Sequence, residues 1–151
     1  MPDVVIADTS CFIILSNIEE LDLLKKVYGS IVTTPDILRE FGENLPDWIL
    51  VKSPVDHQKE QILELQVDKG EASAIALALE IKGSTIILDD LQARTLAEQL
   101  GITITGTVGV IIKAKLSGII PSIKPLLKKI KQTNFRISPA LEAIALKDAN
   151  E

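Results

Sequence analysis

Two short apolar runs, Val4-Val5-Ile6-Ala7 and Thr85-Ile86-Ile87-Leu88, each end directly in aspartate, at Asp8 and at Asp89-Asp90. Runs of this length with no polar alternation suit strands buried on both faces, as in a parallel sheet covered by helices. Further strands are predicted at residues 30–34, 48–51 and 102–105. Helical patterns fall between them: 9–28 as two helices broken near Asn17, then 35–41, 55–65, 71–81 and 91–100. Thr34 reads as an N-cap with Pro35 at the first helical position, and Gly101 as a C-terminal stop. Gly70 is predicted to break the pattern before the alanine-rich helix, which Gly83 ends. The remainder reads as helices at 108–116, 123–131 and 139–147. Strands alternating with helices predict an α/β fold with a central, mainly parallel sheet flanked by helices. With 151 residues, no internal repeat and no linker, one domain over 1–151 is the expectation.

The residue types in short supply narrow the chemistry. Cys11 is the only cysteine and His57 the only histidine, which demotes thiolate zinc sites, multi-histidine sites and histidine-dependent triads. Aromatics are confined to Phe12, Tyr28, Phe41, Trp48 and Phe135, too few for a module that grips nucleic acid mainly by stacking. Carboxylates, hydroxyls, amines or a bound ion must carry any catalysis. The N-terminus, with Asp3 and no basic stretch, does not read as a signal peptide. The longest apolar run, Val108 to Ile120, is interrupted by Lys113 and Lys115 and falls short of the ~20 residues of a membrane span. A cytoplasmic protein with no membrane partner is expected.

Charge is unevenly distributed. Residues 1–106 hold 8 Lys and Arg against 18 Asp and Glu, whereas residues 107–151 hold 8 against 3. An acidic body suits a cation, and a basic helical C-terminal part from about residue 107 suits a phosphate backbone. Solvated helix faces of opposite sign are the plain alternative.

In open parallel sheets, ligands bind at the carboxyl ends of strands where the chain direction switches. Asp8 and the Asp89-Asp90 pair occupy two such ends, although an aspartate there can also simply cap the next helix. Glu40, in PDILREF, and Glu71, at the first turn of the alanine-rich helix, lie near helix starts. Convergent carboxylates raise one another's pKa unless a cation intervenes. Hard oxygen donors select Mg²⁺ or Mn²⁺, and such an ion activates water and offsets charge on a phosphoryl oxygen. This set suits phosphodiester hydrolysis without histidine.

Read together, DTSCFI, PDILREF, DKGEASAIALALE and ILDDLQAR resemble, in order, the four acidic motifs of the PIN-domain family, which includes VapC-like toxin ribonucleases. TGTVGVIIKAKLSGIIPSIKPLLKKI and FRISPALEAIAL are similar to the C-terminal part of a prokaryotic branch of that family. The resemblance implies a three-layer PIN-like fold, acids coordinating Mg²⁺ or Mn²⁺, and cleavage of RNA as an endoribonuclease. It also implies a small antitoxin partner and a homodimer. By position it carries the catalytic acids to Asp8, Glu40, Glu71 and Asp89 or Asp90, with Asp8, Glu71 and the Asp89-Asp90 pair as metal ligands. Ser10 matches the polar residue that supports the first acid. The mean hydropathy of +0.27 independently favours apolar surface buried against a second copy.

Other readings compete. A haloacid-dehalogenase-like phosphatase wants an aspartate two residues after its nucleophile, where Ser10 stands. A phospho-receiver domain has its acidic pair after the first strand, whereas the pair here comes late. A catalytically inactive PIN-like binding module keeps the fold and loses the chemistry. Lys124, Lys128 and Lys131 recur at helical spacing and offer a track for RNA, or a face for solvent or an acidic antitoxin. Arg94 stands either to contact substrate phosphate or to pair with Asp90 at i,i+4. Cys11 reads as a small buried hydrophobe, His57 as solvated and Trp48 as a packing residue.

Overall fold

A computed structural model describes residues 4–151, so Met1, Pro2 and Asp3, on which part of the N-terminal reading rests, lie outside the described residues. Five strands make one sheet: β1 (Val4–Ala7), β2 (Ile31–Thr33), β3 (Ile49–Val51), β4 (Ser84–Ile87) and β5 (Thr103–Thr105). Their order is β3-β2-β1-β4-β5, and every pairing is parallel. The sheet is thus wholly, not mainly, parallel among the described residues. The β-branched runs of β1, β2 and β4 occupy its centre, and their interior residues are buried. β3 and β5 form the edges and keep exposed positions.

The chain runs from β1 toward β2 and β3 on one side, then returns to place β4 on the other side of β1. The switch point lies between the carboxyl ends of β1 and β4, where Ala7 is paired with Ile87. Asp8 and the Asp89-Asp90 pair follow those two strand ends, as the sequence predicts.

Nine helices flank the sheet among the described residues: α1 (Thr9–Asn17), α2 (Leu23–Tyr28), α3 (Pro35–Phe41), α4 (His57–Leu63), α5 (Lys69–Glu80), α6 (Leu91–Gln99), α7 (Thr107–Leu116), α8 (Lys124–Lys131) and α9 (Pro139–Asp148). The predicted break near Asn17 and the Thr34-Pro35 start are both present, with Thr34 Oγ1 accepting from Ile37 N at 3.2 Å. One expectation fails. Gly70 does not interrupt the helix; it lies within the first turn of α5, which starts at Lys69. A capping box explains the earlier start, with Asp68 accepting from Glu71 N at 2.8 Å and Glu71 Oε1 from Asp68 N at 3.2 Å. These two bonds outweigh the roughly 1 kcal/mol penalty of a helical glycine.

One cluster of buried apolar side chains extends from Val5 to Ala149. It includes Leu126, Leu127 and Ile130 of α8 and Ala145 of α9, so the basic C-terminal part packs on the same core as the sheet. Glu151 ties the chain end down, accepting from Ile123 N at 2.7 Å and lying 3.7 Å from Lys115 Nζ. No helix among the described residues is long and apolar enough to cross a membrane.

Candidate active site

Asp8 stands at the N-cap position of α1 but makes no side-chain capping bond. Its carboxyl is buried, with 3% exposure, and Oδ1 has no hydrogen-bond partner. The neighbouring Thr9 hydroxyl is likewise buried and unpartnered. Helix capping therefore does not account for this aspartate. Burial pushes its pKa up to about 8; the Thr9 backbone opposes the shift, while Glu71, Asp68 and Glu40 add to it. Buried polar groups are nearly always satisfied, so an orphaned carboxylate oxygen at a strand's carboxyl end is a functional signal.

Glu71 is brought to the same end of the sheet by the first turn of α5 and is buried, with 7% exposure. Burial raises its pKa to about 7, and the charges of Asp68, Asp90 and Glu40 act in the same direction. Only its backbone bond to Asp68 opposes them. Glu40 comes from the last turn of α3 and not, as expected, from near a helix start, because α3 begins at Pro35 and ends at Phe41. Its carboxylate lies so near Gly70 that a methyl group there would stand 3.2 Å from both oxygens. Hydroxyls hold these helices in register: Thr34 and Ser73 are 2.6 Å apart, and Ser73 donates to Gly70 O at 2.7 Å. A side chain at residue 70 would make the Glu40 carboxylate shift by a few tenths of an ångström.

The two aspartates after β4 divide. Asp89 accepts two bonds from the start of α7, from Thr107 N at 2.9 Å and from the Thr107 hydroxyl at 2.6 Å. Asp90 is exposed, caps α6 by accepting from Ala93 N at 3.0 Å, and contributes to the field on Glu71. Arg94 does not form the i,i+4 pair with Asp90. It turns back and donates to Leu88 O at 2.7 Å, because that carbonyl at the strand end lies within reach of the guanidinium. A methyl group on Gly106 would meet Arg94 Nη1 at 3.0 Å and Asp89 Oδ1 at 3.1 Å, so Arg94 shares its corner with Asp89 instead.

Asp8, Glu40, Glu71 and Asp90 thus share one electrostatic neighbourhood, with Asp89 beside it. Sequence reasoning missed Asp68, although the Asp-x-x-Glu spacing of a capping box marks it. It also missed Thr107, which no local pattern distinguishes. Ser10 is half-buried and gives no bond to Asp8 Oδ1. Cys11 is fully buried, and burial drives its thiol pKa up, consistent with a packing role. His57 is largely exposed and lies 2.9 Å from Glu60 Oε1. Lys124 and Lys128 are exposed, while Lys131 pairs with Glu142 of α9. Lys113 and Lys115 are engaged elsewhere, Lys113 over the Tyr28 ring at 4.9 Å and Lys115 donating to Ala149 O at 2.8 Å.

A family model described as PIN domain matches residues 4–151. The chain belongs to the PIN-domain family. Neither a curated protein nor a solved structure matches it. The PIN family is a nuclease family, and the parallel α/β sheet agrees with its fold. As the side chains stand, no three His, Cys, Asp or Glu groups among the described residues converge closely enough to hold an ion. In kind, the donors fit a hard divalent cation: all are carboxylates, two are buried, and Asp8 Oδ1 has a free lone pair facing no donor.

Proposed function

We propose that this PIN domain is an Mg²⁺- or Mn²⁺-dependent endoribonuclease that hydrolyses RNA phosphodiester bonds. The observation that carries the reading is the buried Asp8 carboxyl at the β1–β4 switch point, with an orphaned oxygen and carboxylate neighbours. Asp8 and Glu71 would hold the ion, with Asp90 or Asp89 completing the set and Glu40 bordering it. A bound divalent ion would supply Lewis acidity toward the phosphoryl group and make water a better nucleophile. Burial holds the Asp8 and Glu71 carboxyls above the usual range, so both would release protons as the ion binds. Asp90 caps α6 and Thr107 holds Asp89, so both acids keep fixed positions at the end of β4. Purified protein should cleave RNA with Mg²⁺ or Mn²⁺ and stop on addition of EDTA. Cleavage unaffected by EDTA would overturn the assignment.

The same reading makes residues 1–151 one functional domain, acting in the cytoplasm as the toxin of a toxin–antitoxin pair and restrained by a small antitoxin. The exposed face of α8, with Lys124 and Lys128 free of ion pairs among the described residues and Lys131 shared with Glu142, is its track for RNA. A homodimer is proposed from the apolar surface beside the acids. Leu65 and Leu91 are 84% and 77% exposed, and the Gln92 amide donates to Gln66 O at 2.6 Å, placing them in one neighbourhood. Exposed aliphatic side chains in such a group favour burial against a partner. Light scattering at micromolar concentration should show twice the 16.4 kDa chain mass; the single-chain mass alone would contradict the dimer.

A further inference from the structure

A cavity of about 460 Å³ opens beside Asp89, between the end of β5, α7 and α9. That volume falls within the roughly 300–1,000 Å³ of small-ligand pockets. Val108 and Ala145 are buried beneath it, Phe135 and Ile112 are half-buried in its wall, and Leu141 and Ile144 stand exposed on its α9 side. The α9 side chains have apolar surface that no element of the chain covers. Charge is confined to four groups: Asp89 and Arg94 on the side nearest the acids, and the exposed Arg136 and Asp148. Asp89 is bonded to Thr107, and Arg94 to Leu88 O, so these two are held in place. Neither Arg136 nor Asp148 takes part in an ion pair among the described residues.

We propose that this cavity is a nucleotide subsite, which receives one residue of the RNA strand next to the scissile phosphate; the inference rests on the ribonuclease reading above. The chemistry of the wall matches a nucleotide in three respects. An apolar wall with one aromatic ring, Phe135, suits a base face, because stacking on such side chains is open to every base. The Asp148 carboxylate is an acceptor for the exocyclic amine that adenine, cytosine and guanine carry and uracil lacks. The Arg136 guanidinium is a donor for a phosphate oxygen or for a base carbonyl. Two cations balanced by two anions make a poor general phosphate trap and a better reader of mixed donors and acceptors. Contiguity with Asp89 then sets the register. A base held here fixes which phosphate is presented to the acids, so the subsite selects the cut position while the acids perform the cut.

The test uses the full chain and the four ribonucleoside 5′-monophosphates as probes, followed by amide and methyl NMR in EDTA, together with a map of RNA cut positions. Adenosine, cytidine or guanosine monophosphate should shift Phe135, Ile112 and Ile144, with uridine monophosphate binding several-fold more weakly. Arg136→Gln and Ile144→Glu, both at exposed positions, should each weaken that binding about tenfold. They should broaden the choice of cut site while leaving metal binding unchanged. Asp148→Ala, which removes the acceptor, should erase the difference between uridine and the other nucleotides. If RNA is cleaved but no monophosphate shifts these resonances and the variants cut at wild-type positions, the subsite is wrong and the nuclease reading survives. If monophosphates bind here and Arg136→Gln weakens them while no RNA is cleaved, the cavity is a nucleotide site, but the nuclease reading fails and the placement beside a scissile phosphate falls with it. A cavity that ignores nucleotides but is covered by a protein partner would also overturn the proposal.

Discussion

Replacing Asp8 by Asn should stabilise the metal-free protein at neutral pH while destroying its proposed activity. The unfolded carboxyl releases its proton near 3.8, whereas the buried one holds it until about 8. Between those values the folded state binds more protons than the unfolded state, so stability falls as pH rises. Each pH unit is worth 1.36 kcal/mol, which amounts to about 4 kcal/mol between pH 4 and pH 7. Asn does not titrate and escapes this loss. It leaves a buried amide where Oδ1 now lacks a partner, at a cost of about 1–3 kcal/mol at every pH. The difference at pH 7 is a net gain of about 1–3 kcal/mol, or roughly 3–10 °C in Tm for a chain of this size. At pH 4 the gain should vanish or reverse. Thermal denaturation in EDTA from pH 4 to pH 8 measures both proteins directly. The reasoning fails if the two stability profiles run parallel, or if the wild type gains on the variant as pH rises.

Further substitutions probe the neighbours. Gly70→Ala should leave stability unchanged or raise it by up to about 1 kcal/mol, because α5 gains helix propensity. Its methyl group would push the Glu40 carboxylate aside by only a few tenths of an ångström, so Glu40→Gln is the decisive partner: a fall in its cleavage rate with an unchanged melting curve would place Glu40 in the machinery, and an unchanged rate would remove it. Thr107→Val removes the hydroxyl that donates to Asp89 at 2.6 Å and should cost about 1–3 kcal/mol in urea denaturation, with slower cleavage; no loss in either would show that Asp89 needs no such support. Exchanging Lys124, Lys128 and Lys131 for Gln should weaken RNA binding and flatten its dependence on salt, with metal affinity and cut-site choice preserved. Since Lys131 is already paired with Glu142, the log–log salt slope should fall by nearer two contacts than three, about 1.4 units for single-stranded RNA. An unchanged slope would return that face to solvent or to an antitoxin.

The centre of the fold was legible because its signals are local. Val4 to Ala7 and Ile86 to Leu88 are apolar throughout, and Thr85 is β-branched and buried, the pattern of a strand covered on both faces. Their terminal aspartates mark the switch point, since strand ends and chain reversals coincide in this architecture. The start of α5 differs from the pattern because the Asp68–Glu71 capping box carries the helix through Gly70, which read alone signals a break. Of the two readings open for Arg94, the structure removes the pair with Asp90. Its i,i+4 spacing to Asp90 is a property of the helix alone, whereas its partner, the Leu88 carbonyl, belongs to the preceding strand end. Asp89 and Asp90 are adjacent in sequence, and only the arrival of Thr107 from beyond β5 separates their roles. Contacts that depend on where a distant helix begins leave no periodic trace.

The central claim is that the carboxylates at the β1–β4 switch point hold a divalent ion. Titration of Mn²⁺ into the purified protein, with free Mn²⁺ read by electron paramagnetic resonance, tests it most directly when wild type and Asp8→Asn are compared. The wild type should take up Mn²⁺ with an affinity that rises through pH 7–8 as Asp8 and Glu71 lose their protons, and Asp8→Asn should lose at least tenfold in affinity. Equal Mn²⁺ uptake by the two proteins, or none by the wild type at pH 8, would contradict the account.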